Sequence, residues 1–221
     1  MWDKSTAGFK LIVVLFSLLG VCVLYYISLV ITPPFVPLDE VALYEGTIIW
    51  TRGVITDLSV TESGTVLMKL TDNQTELPLF FDAPDAGQKL SNLSYGDEIE
   101  VEGTVQVYRG VYELVASATG LKTVKRERPT AFIAHIAMQP EAYEGRTIRV
   151  IGYTGDIYTH VFYLCDETGG YRMRVSCSNA AIPPSALQAL EEGDKIIAQG
   201  VLAYDAQNMR YELNLIDFEV V

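Results

Sequence analysis

The sequence predicts an all-β protein with minor α content: two tandem five-stranded Greek-key barrels behind an N-terminal transmembrane helix. Three observations carry this prediction. One uncharged apolar run occupies the N-terminus, a set of glycine-marked motifs occurs twice in the same order, and the segments between those motifs alternate apolar and polar residues at strand period.

The apolar run, "LIVVLFSLLGVCVLYYISLVI", begins at Leu11, ends at Ile31 and contains no charge. As a helix it rises about 1.5 Å per residue and reaches roughly 30 Å, the thickness of a bilayer's hydrocarbon core. It accounts for much of the 49% hydrophobic content and the mean hydropathy of +0.21. A cleaved signal peptide has an apolar region of only about 7 to 15 residues, followed by a small-residue cleavage site. This run is longer and meets "TPPFVP", where Pro33 and Pro34 stop a helix because proline lacks the N–H and restricts its predecessor. We therefore expect a cytoplasmic N-terminus over residues 1–10, a membrane span over 11–32 with the lipid bilayer as its partner, and a Pro-rich stalk over 33–40. Lys4 and Lys10 precede the run, whereas Asp39 and Glu40 are the first charges after it. The positive-inside rule then predicts a single-pass protein of the cell membrane with everything beyond Pro34 extracytoplasmic.

Beyond the run the chain compares with itself. "YEGTIIWTRG", ending at Gly53, matches "YEGRTIRVIG", ending at Gly152. "GDEIEVEG", ending at Gly103, matches "GDKIIAQG", ending at Gly200, and "YEL" at Tyr112 returns at Tyr211. The displacement stays near roughly 98 residues throughout, the mark of a tandem duplication. Each copy reads as a strand, a hairpin, a short helical piece and a second hairpin. In the second copy the strands are expected at about 146–157, 160–166, 171–176, 195–204 and 210–221, with "PPSALQAL" as a one- or two-turn helix opened by proline. In the first they fall at about 47–57, 65–71, 76–81, 98–108 and 111–121, with a loop or helix near 85–93. This gives domains at 41–124 and 142–221, joined by a linker and capping helix over 125–141, the helix itself expected at 130–139. Gly53, Gly103, Gly152 and Gly200 sit where first and fourth strands must bend to close so small a barrel.

Five strands with the helix between the third and fourth is the order of an OB-fold. Both copies carry Y-x-G-x-x-[IV]-x-x-x-G and G-D-x-[IV]-x-x-x-G, and the second carries F-x-L-x-D-x-x-G from Phe162 to Gly169. On these motifs the chain resembles OB-fold proteins of the tRNA-anticodon and single-strand-binding type, and its overall plan is similar to membrane-anchored OB-fold proteins of archaeal genomes. That resemblance implies a nucleic-acid-binding type of OB-fold and a class of ligands, with no particular one named.

The ligand face of such a barrel is the outer face of its second and third strands, with the loops joining the first to the second strand and the fourth to the fifth at its edges. Strand alternation places Tyr163 and Cys165 outward opposite Arg174 and Arg172, a ring among guanidiniums that could stack a base and hold a phosphate. Tyr204, Arg210 and Tyr211 extend this face, and the second barrel is expected to carry most of the binding. The first barrel offers Lys69, Phe80, Tyr108, Arg109 and Tyr112, diluted by Glu76 and Pro78. Against nucleic acid stands the charge. The chain's net charge is −12, and from Asp39 onward 14 Lys and Arg face 27 Asp and Glu, so no basic half exists for a phosphate backbone. The cluster Lys122, Lys125, Arg126 and Arg128 reads as a solvated connector.

Catalytic patterns are absent from the sequence. His135 and His160 show no metal-ligand spacing, and there is no C-x-x-C, no G-x-S-x-G and no phosphate-binding glycine loop. The acidic turns "TDNQTE" and "CDETGG" carry the residues that turns demand rather than the alternation of a calcium loop. Cys165 and Cys177, on opposite faces, should not bridge. The expectation is a non-enzymatic binding or adaptor protein without cofactor, whose ligand is a partner protein, single-stranded nucleic acid or a glycan. The alternative is an extracytoplasmic cofactor-delivery protein. The plan of an anchor followed by an OB barrel is similar to the haem chaperone of cytochrome c maturation, whose His or Cys followed four positions later by Tyr has no counterpart after the second barrel. Cys22 and Tyr26 have that spacing, but inside the apolar run.

Overall fold

Period-two alternation closes on itself in the first repeat to form a barrel. The structure, a computed structural model, describes residues 4–30, 32–72, 74–81, 90–178, 182 and 184–221. It divides into two units, residues 1–34 and 35–221. The first holds α1 (Lys4–Val30), a helix of 27 residues with no acidic residue in its first turn and no basic residue in its last. Residues 12–26, whose side chains are described, are exposed and would rise about 22 Å as a helix, against roughly 30 Å for a hydrocarbon core. Among the described residues no helix is long and apolar enough to cross a membrane. The span expected over 11–32 is thus not met by the described part.

In the second unit the strands β1 (Ile48–Val60), β2 (Val66–Asp72), β3 (Thr75–Phe81), β4 (Glu98–Tyr108) and β5 (Val111–Lys125) pair in the order β1-β2-β3-β5-β4 as a closed barrel. β1 closes it against β4, and β3 runs parallel to β5. Strict alternation makes this possible: Val66, Met68 and Leu70 on β2 and Leu77, Leu79 and Phe81 on β3 point inward and are buried. The stretch expected as a stalk contributes to the same core. Phe35 bridges Trp50 on β1, and Val36, Leu38 and Val41 are buried, the last two within a 3₁₀ turn, Leu38–Tyr44. The apolar residues that follow the Pro-Pro pair therefore pack as the barrel's flank. The helical piece expected near 85–93 lies mostly outside the described residues.

The second sheet begins with β6 (Ala131–Phe132), parallel to β7 (Thr147–Gly155), and continues through α2 (Ile133–Met138), β8 (Val161–Cys165), β9 (Arg172–Ser176), α3 (Pro184–Gln188), β10 (Lys195–Asp205) and β11 (Arg210–Val220). Its order is β10-β11-β9-β8-β7-β6, and β10 also pairs with β7, so the ring of pairings repeats that of the first barrel. The helix expected over 130–139 starts later, because Ala131 and Phe132 first bond along the edge of β7 beside Val150 and Ile151. β5, expected to end near residue 121, runs on to Lys125.

Two of the four bend glycines mark bulges. The register of β4 against β5 shifts between Val101 and Gly103, and that of β10 against β11 between Gln199 and Gly200. A Cβ on Gly103 would stand 2.6 Å from the carbonyl oxygen of Val115, and one on Gly200 would strike the carbonyl oxygen of Asn214. Backbone cannot step aside as a side chain can. Gly103→Ala and Gly200→Ala are each expected to cost about 1–3 kcal/mol, the usual scale of overpacking, read as a lower urea midpoint at unchanged slope. A midpoint like the parent's would show that the barrel closes without them. In β1 the bulge falls at Ile55/Asp57 instead, past Gly53.

The barrels share packing and charge. Phe132, Ala134, Ile151 and Ile197 of the second repeat join the first barrel's core. Beside them Asp57, 6% exposed, accepts a hydrogen bond from the Tyr153 hydroxyl at 2.5 Å and an ion-paired one from Lys195 Nζ at 2.9 Å. Lys195 also donates to the Thr56 carbonyl at 2.8 Å and lies 5.1 Å from the centre of the Tyr153 ring. Burial, and then the hydrogen bond to Asp57, push the Tyr153 hydroxyl's pKa far up.

Candidate ligand-binding groove

The outward residues of β2 and β3 floor a groove on the first barrel. Leu67 lies opposite Phe80, and Lys69 opposite Pro78. One wall is the turn between β1 and β2, where Thr61 N donates to the Thr65 carbonyl at 2.9 Å and the hydroxyls of Thr61, Ser63 and Thr65 form a chain of bonds at 2.9 and 3.2 Å. The other wall is the β4–β5 hairpin, where Gln106 Nε2 donates to Glu113 Oε1 at 2.6 Å and Tyr108 stands 54% exposed. The half-open space between these walls is about 600 Å³, within the range of ligand pockets. Arg109, whose φ of +51° is set by the tight turn, stacks its guanidinium 5.1 Å from the Tyr108 ring centre. Val107, Tyr108 and Val111 leave an apolar, exposed hairpin tip.

Charge in the groove runs against phosphate. Lys69 is the one cation among its described lining residues, against Asp57, Glu113 and Glu167. Glu167 comes from the second barrel's β8–β9 turn and forms an ion pair with Lys69. Burial alone would lower the Lys69 ammonium's pKa, but the hydrogen bond and charge of Glu167, with Asp57 and Glu76 behind it, raise it on balance.

The second barrel's face is arranged as expected in register and differently in charge. Tyr163 pairs with Arg174 and Cys165 with Arg172 across β8 and β9. Arg172 does not wait beside the Tyr163 ring but covers it, 3.8 Å from its centre, and is held there by an ion pair with Asp156 that raises its pKa. Arg174 is ion-paired with Glu212, its neighbour on β11. Tyr204 and Tyr211 pack against each other with centroids 5.1 Å apart, and the Tyr211 hydroxyl donates to Glu144 at 3.3 Å. Arg210 is exposed at the start of β11. The structure thus brings Lys69, Phe80 and Tyr108 together in the groove, while Arg172, Arg174, Tyr163, Tyr204 and Tyr211 of the second face are engaged by their own chain.

Cys165 and Cys177 are free thiols on opposite faces, and burial pushes both up, Cys177 to about 11, so neither is a ready thiolate. Among the described residues no group of three or more His, Cys, Asp or Glu is placed to hold a metal ion. The groove's acidic and hydroxyl walls escaped sequence reasoning in two ways. Gln106 and Glu113 were legible as outward neighbours of Tyr108 on alternating strands. Glu167 was not, because it reaches the groove only through the docking of the barrels.

Strand order and barrel closure define a protein built of OB-type barrels, the first with a groove on its β2–β3 face. The chain matches no known family and no curated protein. Among solved structures it is similar to asparaginyl-tRNA synthetase from Pyrococcus horikoshii, at 15% identity over 42% of this chain and 23% of that one, with a TM-score of 0.36. It is also similar to the OBody AM1L10 bound to hen egg-white lysozyme, at 16% identity over 38% of this chain and 85% of the other, TM-score 0.34. The S. pombe Stn1-Ten1 complex matches at 19% identity over 36% and 59%, TM-score 0.32. The chain spans under a quarter of the synthetase's length, and the OB assignment rests on the strand order above.

Proposed function

We propose that this chain is a non-enzymatic, membrane-anchored binding protein whose first barrel captures an extended, uncharged or basic segment of a partner protein. The observation that carries the reading is the groove: about 600 Å³ on the β2–β3 face, floored by Leu67 and Phe80, with carboxylates outnumbering its single ion-paired lysine. Two unit charges 4 Å apart interact by about 4 kcal/mol at the effective dielectric of a protein surface. A phosphate in this groove would meet such repulsion from Glu113, since Asp57 and Glu167 are ion-paired with Lys195 and Lys69, whereas a lysine or arginine of a peptide would gain from it. The apolar floor and the chain of hydroxyls suit an extended segment that alternates side chains. The anchor is supported by the uncharged run from Leu11 to Ile31 and by the helical backbone of α1. The basic residues on its N-terminal side favour a cytoplasmic N-terminus and extracytoplasmic barrels.

The test uses the full chain in detergent, titrated with a fluorescent peptide of alternating Lys and Val and with a labelled oligothymidine strand. The peptide is expected to bind saturably and to lose at least about tenfold in affinity on Phe80→Ala with Tyr108→Ala, the scale of truncating an aromatic anchor. The oligonucleotide should not saturate. Saturable oligonucleotide binding that weakens steeply with salt and is lost on Arg172→Ala with Arg174→Ala would overturn the protein-partner reading. Protease added to intact cells should cleave the barrels, and full protection would refute the topology.

A further inference from the structure

A second cavity, of about 430 Å³, lies in the crease where the first barrel's 91–94 turn, the 128–131 linker, α2 and the start of β7 meet. Its chemistry is the reverse of the groove's. Arg128 and Arg149 line it, and no Asp or Glu stands among the described lining residues, although the chain as a whole carries a net charge of −12. A third guanidinium, Arg146, is close enough to the lining Tyr143 to act on its hydroxyl. Two carboxylates adjoin the lining residues: Glu219 holds one end of Arg149 through Nη2, and the buried Asp97 accepts from the Ser94 N–H at 3.0 Å. The Nε of the Arg149 guanidinium is buried without a partner in the structure, so Glu219 does not saturate it. Thr147 and Gln199 add a hydroxyl and an amide to the same wall. Two further features fit a polar guest rather than an apolar core: the cavity abuts His135, which is 3% exposed with an unpartnered Nε2, and it sits between two barrels, where ligand sites concentrate.

We propose that this inter-barrel cavity is a binding site for a small molecule bearing an oxyanion, a phosphate or carboxylate group held by Arg128 and Arg149 with Thr147 and Gln199 at its side. Guanidiniums present paired N–H donors that match the oxygens of either group, and in a chain of negative charge a cation-lined recess is where such an anion finds its favourable potential. The volume admits a metabolite-sized guest, larger than a bare ion. The site is separate from the groove on the β2–β3 face and stands whether or not that groove takes a peptide.

Thermal unfolding and calorimetric titration of the full chain in detergent test it, with inorganic phosphate and citrate as probes and sodium chloride of equal ionic strength as control. Binding should be saturable and raise the unfolding midpoint by about 5 °C at a hundredfold excess over Kd. Arg128→Glu, at an exposed linker position, should weaken it at least about tenfold, and Thr147→Val by a smaller factor, while Glu113→Gln in the groove leaves it unchanged. A response to phosphate alone assigns a phosphorylated guest, and one to citrate alone a carboxylate. No saturable response to either probe beyond the chloride control, or binding unaffected by Arg128→Glu, would overturn the proposal.

Discussion

Asp57→Ala is expected to destabilise the two-barrel unit by about 3 kcal/mol, because it strands a half-buried ammonium and a half-buried phenol together. Asp57 is the shared acceptor of Lys195 and Tyr153, and its side chain is only 9% exposed. Removing one partner of a buried pair typically costs about 3–5 kcal/mol. The lower end applies here, since the Lys195 side chain keeps 22% of its surface in water and its bond to the Thr56 carbonyl. Replacing both charges, Asp57→Ala with Lys195→Met, should recover most of the loss, as apolar substitutes for buried ion pairs often do. Urea unfolding of the four members of this cycle gives the coupling directly. Additive losses would mean that the barrels are joined by their shared apolar contacts alone, through Phe132, Ala134, Ile151 and Ile197. The latch also bears on the groove, because Asp57 lines it and Glu167 enters it from the other barrel. Loosening the docking should therefore weaken peptide capture as well as stability.

Acidification is expected to remove about 3 kcal/mol of stability through a single imidazole. Burial lowers the pKa of His135 from 6.5 to about 4, and the ring sits edge-on to Phe132 at 5.7 Å. The folded state therefore holds this ring neutral while the unfolded chain takes up a proton below its ordinary pKa. Stability is fully present above about pH 6.5 and falls as the pH drops toward 4, by about 1.4 kcal/mol per unit of pKa difference. The carboxylates act in a different window. Glu98, lowered by its hydrogen bond from Arg52, contributes stability above the usual carboxylate range and loses it only as that pH is passed downward. His135→Leu, close in volume and suited to a helix, should flatten the stability profile between pH 6.5 and 5 and leave the lower limb in place. A variant that keeps the parent's slope in that window would assign the loss to another group.

Much of the architecture was legible because its causes are local. Alternation by itself places Tyr163 opposite Arg174 and Cys165 opposite Arg172, since a period of two and a tight turn leave one register that buries Phe162, Leu164, Met173 and Val175. The turn at Arg109 and Gly110, both at positive φ, is likewise the product of two residues. Expectations failed where a segment's partner lay elsewhere. Residues 33–40 read as a stalk because two prolines and scattered apolar residues carry no period. The burial of Val36 and Leu38 is decided by the flank of β1, which pairs with Phe35 and Val36. The start of α2 was displaced by the free edge of β7, a feature that no local pattern of residues 130–139 contains.

The candidate site divides in the same way. Lys69, Phe80 and Tyr108 were readable as outward residues of one face, and all three line the groove. Arg172 and Arg174 were readable as outward too, but nothing local announced that Asp156 and Glu212 would claim them. By itself the sequence determined the strand order, the register of the β8–β9 hairpin and the bends at Gly103 and Gly200, because period, turn chemistry and steric room act over a few neighbouring residues. Tertiary structure alone decided which charges are spent within the chain, which barrel keeps an open groove, and that Asp57, Glu167 and the crease beside Arg128 lie between barrels. Those outcomes depend on side chains far apart in sequence meeting at a few ångströms, where a single carboxylate reverses the sign of what a surface can bind.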